Sequence, residues 1–246
     1  MSGVVALERD PTARVPGQYT RSIVRRLRMR TLLMLGGLAV ATTLMGRRFG
    51  WHDPRFLGAE VALLSVIFAI SRFVLPLVER HDRGATGEEQ VGRLLEGLGS
   101  KGWRVVHDAS LGRGNVDHIL IGPGGVFTLE TKSHPGPVRV GRMHGSVLGQ
   151  AQAQRKAIEA IVGEHVEPLV VFSRAWVDRP LSRRKGVRVV PARMLLGYVD
   201  RQPQRLEERA VERAHARLAR ALAESHARTR SPRLGRRAIG NRPLPR

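Results

Sequence analysis

The feature that most constrains the fold is a pair of apolar runs, VDHILIG and VFTLETK, within residues 116–132. A Pro-Gly-Gly turn separates them, and so short a connection predicts an antiparallel hairpin with residues 122–125 as its loop. The register set by this loop places Asp117 directly opposite Glu130. Lys132 lies on the same face, because side chains two residues apart along a strand point to the same side of the sheet.

The three charged side chains of this hairpin interrupt an otherwise apolar pattern. Opposed side chains have Cβ atoms about 4.5–5.5 Å apart, so Asp117 and Glu130 repel each other unless a cation lies between them. A divalent ion such as Mg²⁺ takes one or two carboxylates together with water and substrate phosphate. On spacing alone, a simple cross-strand salt bridge of the two acids with Lys132 is the favoured alternative.

The order of elements along the rest of the chain predicts a mixed α/β domain. Residues 80–87 are polar and contain glycine, which is typical of a linker. An amphipathic helix, three strands, a second helix, two strands and a third helix follow, and the third helix ends near residue 200. This order is typical of a mixed sheet flanked by helices.

Two apolar runs precede this domain. Residues 31–46 carry no charge, and residues 56–78 are interrupted only by Glu60 and Arg72. A helix needs roughly 20 apolar residues to cross a bilayer, and flanking arginine side chains can reach the headgroups. Together the runs predict a transmembrane helical hairpin over residues 29–79. The alternative is a soluble helical hairpin that packs on the domain.

The arginines predict the orientation of this hairpin. Five arginines lie between Arg21 and Arg30, and Arg80 and Arg83 follow the second run, against three arginines in the connecting loop. Positively charged flanks stay on the cytoplasmic side of a membrane. We therefore expect both termini and the α/β domain in the cytoplasm, attached to a bacterial cell membrane.

Composition indicates an anionic partner. The chain has 42 Lys and Arg residues against 21 Asp and Glu residues, a formal net charge of +21 that attracts nucleic acid or anionic lipid. The absence of cysteine excludes disulfides and cysteine-ligated zinc or iron–sulfur sites. A basic loop is either an ordinary solvated loop or a nucleic-acid-binding segment, and the predicted binding residues are Arg174, Trp176, Arg183, Arg184 and Lys185.

The sequence is thus divided into five parts. They are a basic N-terminal tail (1–28), the transmembrane hairpin (29–79), the α/β domain (80–200), a basic amphipathic helix (201–227) and a disordered basic tail (228–246). The C-terminal basic segments suit either nucleic acid or the cytoplasmic leaflet.

Several motifs of the α/β segment resemble, in order, the nuclease-related domain (NERD) family. They are TGEEQVGRLLEGL, VVHDASLGRGNVDHILIGPGGVFTLETKSHPGPV and the glutamine-rich helix that follows, roughly residues 86–199. That family belongs to the PD-(D/E)xK class. The resemblance therefore implies a restriction-endonuclease-like mixed β-sheet flanked by helices, preceded here by two transmembrane helices. Two departures are the Asn-Val pair before Asp117 and the segment VLGQAQ, where relatives often have Asn-Pro.

The resemblance implies roles for individual residues. Asp117 corresponds to the metal-binding aspartate, Glu130 to the second acid and Lys132 to the lysine of the E-x-K motif. Glu88 corresponds to the acid on the first helix of the fold, with the adjacent Glu89 as its competitor.

The family pattern also implies a glutamine on the helix after the hairpins, where Gln150, Gln152 and Gln154 all qualify. Helical spacing puts Gln150 and Gln154 on one face, so these two are the expected catalytic glutamines. His118 points to the opposite face from Asp117 and is expected to be structural.

The function implied by the resemblance is a Mg²⁺-dependent nuclease that hydrolyses phosphodiester bonds, with DNA preferred over RNA. Asp117 and Glu130 would hold Mg²⁺, and Lys132 would orient or activate the attacking water. The alternative function is a non-catalytic nucleic-acid-binding or signalling module that keeps the fold.

Overall fold

The computed structural model describes residues 16–50, 53–111 and 114–230. The predicted N-terminal tail up to residue 15 and the predicted disordered tail from residue 231 lie outside the described residues.

Two long helical segments form the N-terminal part of the described chain. They are α1 (Gln18–Phe49) and a second segment made of α2 (Pro54–Ala69), a π-helical turn (Ile70–Val74) and α3 (Leu75–Glu96). α2 begins where the Asp53 carboxylate accepts a hydrogen bond from the backbone N–H of Arg55 at 2.7 Å. Proline at the first helical position suits this start, because its missing N–H would have no partner there.

The linker expected at residues 80–87 is wrong, because α3 runs through these residues without a break. Gly84 and Gly87 each disfavour a helix by about 1 kcal/mol relative to alanine. Close packing requires one of them: a Cβ at Gly87 would lie 2.5 Å from Cβ of Ser133 and 2.8 Å from Oγ of Ser173. Glycine therefore allows α3 to lie directly against the ends of two strands.

The apolar side chains of the N-terminal helices point away from the rest of the protein. Leu33, Phe68 and Phe73 are 69%, 68% and 69% exposed. Two helical segments, Thr20–Arg48 and Pro54–Glu96, are long and apolar enough to cross a membrane. In the most apolar stretch of each segment, only 11% and 6% of the residues are buried. The most apolar parts of these helices are therefore exposed and not packed on the α/β domain.

A six-stranded mixed sheet and a separate two-stranded sheet form the centre of the α/β domain. The strands are β1 (Arg104–Ser110), β2 (Asn115–Gly122), β3 (Gly125–Lys132), β4 (Pro137–Val138), β5 (Val166–Phe172), β6 (Trp176–Val177), β7 (Arg183–Arg184) and β8 (Val187–Pro191). The large sheet has the order β1-β2-β3-β5-β8-β7, and β4 pairs with β6. β1, β2 and β3 are antiparallel neighbours, whereas β5 and β8 run parallel to β3.

Helices cover both faces of the large sheet. They are α3 on one face together with α5 (Ala192–Asp200), and on the other face α4 (Gly145–Val162) and α6 (Glu208–Arg230). Phe127 and Leu195 are buried in the first layer, and Ile158 and Leu218 in the second. α6 begins at Glu208, a few residues later than the sequence pattern predicted. The expected fold class, a mixed sheet flanked by helices and preceded by two apolar helices, is confirmed.

Glycine at position 122 is expected to be needed for packing of the β2–β3 hairpin. A Cβ there would lie 2.3 Å from Cδ2 of Trp103, whose indole is 5% exposed and packs against Phe127. Because the buried ring cannot move aside cheaply, Gly122→Ala should lower the free energy of unfolding by about 2 kcal/mol, measured by urea denaturation in detergent.

The matched control is Gly97→Ala, because a Cβ at Gly97 meets nothing within 4 Å. It should change the free energy of unfolding by less than about 0.5 kcal/mol. Equal stability of the two variants would contradict the packing argument at Gly122.

Candidate active site

The β2–β3 hairpin has the register expected from its loop. Ile121 pairs with Val126, and the described pairing continues to His118 and Leu129. Immediately beyond this pair, Oδ2 of Asp117 accepts a hydrogen bond from the backbone N–H of Thr131, the residue after Glu130, at 2.6 Å. The two acids are therefore held at adjoining positions of neighbouring strands.

Glu130 is the centre of a buried polar group. Its side chain is 4% exposed, and Nζ of Lys132 lies 2.5 Å from Oε1. Nε2 of Gln154, on α4, donates to Oε2 of Glu130 at 2.6 Å and to the backbone carbonyl of Asn115 at 3.0 Å. Both carboxylate oxygens of Glu130 thus have a donor, and α4 is tied to β2 and β3 at this point.

The two glutamines expected to act together are placed differently. Gln154 is buried, whereas Gln150 is exposed, and no described hydrogen bond joins Gln150 to Glu130 or Lys132. Gln152 projects elsewhere and donates to the backbone carbonyl of Lys185 at 2.8 Å. Of the three, only Gln154 reaches the acid–lysine group in the described part of the chain.

The adjacent acids Glu88 and Glu89 contact different residues of α1. Oε1 and Oε2 of Glu88 lie 3.4 and 3.5 Å from the Thr20 hydroxyl of α1. Glu89 instead forms an ion pair with Arg21, with Nη2 and Oε2 2.7 Å apart. Glu88 is the acid that acts electrostatically on the hairpin, because its charge raises the pKa of Asp117.

The ionisation of Asp117 and Glu88 is disfavoured in this region. Burial raises the pKa of Asp117 well above its ordinary value, and the charges of Glu130 and Glu88 raise it further. Burial also raises the pKa of Glu88 to about 7, followed by the charges of Asp108 and Glu130. Carboxylates gathered in a place where their charge is unfavourable are typical of functional sites.

Asp108 also belongs to this group, although it is not among the site residues that the sequence motifs predict. It is buried, has the left-handed φ of 54°, and accepts a hydrogen bond from Nδ2 of Asn115. On the neighbouring strands β1 and β2, His107 pairs with His118 and Ala109 pairs with Val116. Asp108 and Asp117 lie between these two pairs. Applying the register argument to β1 and β2 would have found Asp108.

The histidine next to Asp117 lies in the core. His118 is fully buried, and its Nδ1 lies 2.8 Å from Nδ1 of His107. Burial, and then the neighbouring His107, lowers the pKa of His118 to about 3, so the imidazole is neutral near pH 7. Both its position and its protonation state agree with the structural role expected for it.

Several buried side-chain oxygens of the α/β domain have no hydrogen-bond partner among the described residues. They are Oδ1 of Asn115, Oγ1 of Thr131, Oε1 of Gln154, and Oγ of Ser133 and Ser173. Buried oxygens of this kind are commonly satisfied by an ion or ordered water. Two carboxylates with neighbouring neutral oxygens are a donor set that fits Mg²⁺, which keeps several water ligands. Within residues 16–50, 53–111 and 114–230, no three His, Asp or Glu side chains are grouped as metal ligands.

A basic cleft of about 250 Å³ opens beside Lys132. Arg80 and Arg83 of α3 line it together with Lys132 and His134. In the sequence, the two arginines predict only the orientation of the membrane hairpin. The helical path through residues 80–87 brings them to the same cleft as the lysine.

The loop predicted to bind nucleic acid is only partly available. Arg183 donates to the buried carboxylate of Glu167 at 2.7 Å, and Arg184 donates to the backbone carbonyl of Val140 at 2.6 Å. The other predicted side chains are exposed, namely Arg174, Trp176 and Lys185. Two of the five predicted contacts are thus engaged within the protein.

The fold and this grouping of acids, a lysine and a buried glutamine define a nuclease-like protein. Residues 83–173 match the family model described as nuclease-related domain. The resemblance expected from the sequence motifs is confirmed.

Two known proteins are similar to parts of this chain. An uncharacterized protein of Bacillus anthracis is 32% identical over 82 residues, which cover 31% of this chain and 38% of that protein. A repair endonuclease from Pyrococcus abyssi, known from its crystal structure, is 17% identical, with coverage of 49% of this chain and 46% of that chain and a TM-score of 0.27. The chain therefore spans less than half the length of each.

Proposed function

We propose that this protein is a membrane-anchored, Mg²⁺-dependent nuclease that hydrolyses phosphodiester bonds, with DNA preferred over RNA. The observation that carries the proposal is the buried Glu130 carboxylate, which accepts hydrogen bonds from both Lys132 and Gln154 beside Asp117. A core salt bridge alone does not need a second, half-buried acid at the adjoining position, whose own ionisation is disfavoured.

Asp117 and Glu130 are the residues that would hold Mg²⁺. The ion supplies charge neutralisation and an activated water for phosphodiester hydrolysis. Gln154 keeps the Glu130 carboxylate oriented, as residues outside the ligand set commonly do. Lys132 holds a positive charge at the mouth of the site, where it orients the attacking water and stabilises the charge that develops on the phosphate.

The basic cleft beside Lys132 is the proposed path of the substrate backbone. Arg80 and Arg83 would contact phosphates on either side of the bond to be cut, because arginine donates two parallel hydrogen bonds to phosphate oxygens. Such contacts position a nucleic acid without reading its sequence. The predicted contacts of Arg174, Trp176 and Lys185 would extend this surface.

The proposed anchor consists of the apolar parts of α1 and of the α2–α3 segment, within residues 29–79. Arg21 at the start of α1 lies beside Glu89 in the C-terminal half of α3, so both ends of the helical pair lie on the side of the nuclease-related domain. With the apolar spans in the bacterial cell membrane, the domain and both ends of the pair would be cytoplasmic.

The proposal is tested with the full chain purified in a neutral detergent. Supercoiled plasmid should be nicked or linearised with Mg²⁺, and not with EDTA, whereas a single-stranded RNA of matched length should be cut more slowly. Asp117→Asn should lower the DNA cleavage rate by at least about 100-fold.

Salt-sensitive DNA binding without cleavage, unchanged by Mg²⁺ or by Asp117→Asn, would contradict the nuclease proposal. That result would support a non-catalytic nucleic-acid-binding module.

A further inference from the structure

A groove of about 820 Å³ lies between the N-terminal turns of α1 and the helix α3, outside the acid–lysine site. Its walls carry Arg21, Arg25 and Arg28 from α1, and Asp82 and Glu89 from α3. Among the described residues that line the groove, three guanidinium groups face two carboxylates, which leaves one net positive charge.

The cations of this groove are not equivalent. Arg21 is paired with Glu89, and Arg28 is paired with Asp82. Arg25 is exposed and has no carboxylate partner among the residues that the structure describes. The unbalanced charge therefore belongs to Arg25.

One end of the groove continues onto the apolar surface of α1. Met29 and Leu32 line the groove and are 54% and 65% exposed, at the point where the exposed apolar part of α1 begins. The groove thus joins the exposed guanidinium of Arg25 to an apolar surface within two helical turns. This arrangement is complementary to a lipid molecule, which has a charged headgroup next to apolar acyl chains.

We propose that this groove binds the phosphodiester headgroup of an anionic phospholipid from the cytoplasmic leaflet. The inference rests on the membrane anchoring proposed above. A headgroup such as that of phosphatidylglycerol carries one negative charge, which matches the net charge of the groove, and Arg25 donates to its phosphate oxygens. The acyl chains lie against Met29 and Leu32.

A lipid in the groove would also stabilise the packing of α1 on α3. The same part of α1 carries Thr20, whose hydroxyl contacts Glu88. The lipid site and the acid–lysine site therefore share one helix–helix contact, and its occupancy affects how firmly Glu88 is held.

The test uses the full chain in a neutral detergent, titrated with phosphatidylglycerol or phosphatidylcholine and followed by native mass spectrometry. Wild-type protein should retain one phosphatidylglycerol molecule in preference to phosphatidylcholine. Arg25→Ala should weaken the apparent affinity for phosphatidylglycerol about fivefold, the effect of one basic residue near an anionic surface.

The matched control is Arg26→Ala. Arg26 is the next residue of α1 and is also exposed, but it hydrogen-bonds the backbone carbonyl and hydroxyl of Ser22 and does not line the groove. This variant should bind phosphatidylglycerol as the wild type does.

Several outcomes would overturn the lipid site. They are equal retention of the two lipids, equal loss in both arginine variants, inorganic phosphate that competes at the same concentration as the lipid, and a DNA duplex that displaces the lipid in an Arg25-dependent way. Retention of the chain by carbonate-washed membranes tests the anchoring separately, so an anchored protein without lipid preference refutes the groove alone.

Discussion

Replacing Lys132 with alanine is expected to lower the rate of Mg²⁺-dependent plasmid cleavage by at least about 100-fold. The Lys132 ammonium both contacts the buried Glu130 carboxylate and lines the basic cleft, so one cation links the acid pair to the entering phosphate. Removal of a preorganised charge at the position where charge develops costs about 3 kcal/mol in the transition state. The measurement is the initial rate of conversion of supercoiled plasmid to nicked circle.

The control for this variant is Lys156→Ala. Lys156 is exposed on α4, away from the described cleft residues, and its replacement removes the same charge from the protein. Its cleavage rate should stay within about twofold of the wild type, because surface charges act weakly at moderate salt. Cleavage by Lys132→Ala at the wild-type rate would refute the role of this lysine, provided that both variants unfold at similar temperatures.

Glu88→Gln is expected to stabilise the metal-free protein by about 2–3 kcal/mol at pH 8. Burial, followed by the charges of Asp108 and Glu130, raises the pKa of Glu88 from 4.5 to about 7. Above pH 7 the folded protein must hold this carboxylate ionised at a cost of about 1.4 kcal/mol per unit of pKa difference. As the pH falls from 7 to 4.5, the folded protein takes up the proton first, so this cost disappears.

The stabilisation should therefore decrease to a few tenths of a kcal/mol at pH 4.5. Urea denaturation in EDTA at both pH values measures it. The neighbouring acid provides the control: Glu89→Gln breaks an ion pair whose Arg21 side chain is 64% exposed, and should destabilise by about 1 kcal/mol or less. If Glu88→Gln destabilised the protein at pH 8 by as much as Glu89→Gln, the buried-charge explanation would be wrong.

Local sequence was sufficient to predict the β2–β3 hairpin. Turn length and the two-residue period of a strand are properties of neighbouring residues, and they set the register that brings Asp117 next to Glu130. The same period predicted that Lys132 shares the face of Glu130, and the two side chains are in contact. The apolar runs likewise predicted the long exposed helices.

The choice among similar side chains required the tertiary structure. Helical spacing put Gln150 and Gln154 on one face, but the position of α4 over the sheet brings only Gln154 to Glu130. In the same way, the path of α3 brings the charge of Glu88 close enough to act on Asp117, whereas Glu89 pairs with Arg21 of α1. These selections depend on how one element lies on another, which spacing within a single helix does not encode.

The sequence by itself determined the strand register, the apolar spans and the acid–lysine pattern, because each depends on residues close together in the chain. Tertiary packing decided the rest. Close contact of Gly87 with Ser133 and Ser173 keeps α3 helical where composition predicted a linker, and this continuous helix carries Arg80 and Arg83 to the cleft of Lys132. Packing between distant segments outweighs a local helix preference of about 1 kcal/mol per glycine, and for this reason the cleft could not be predicted from the sequence.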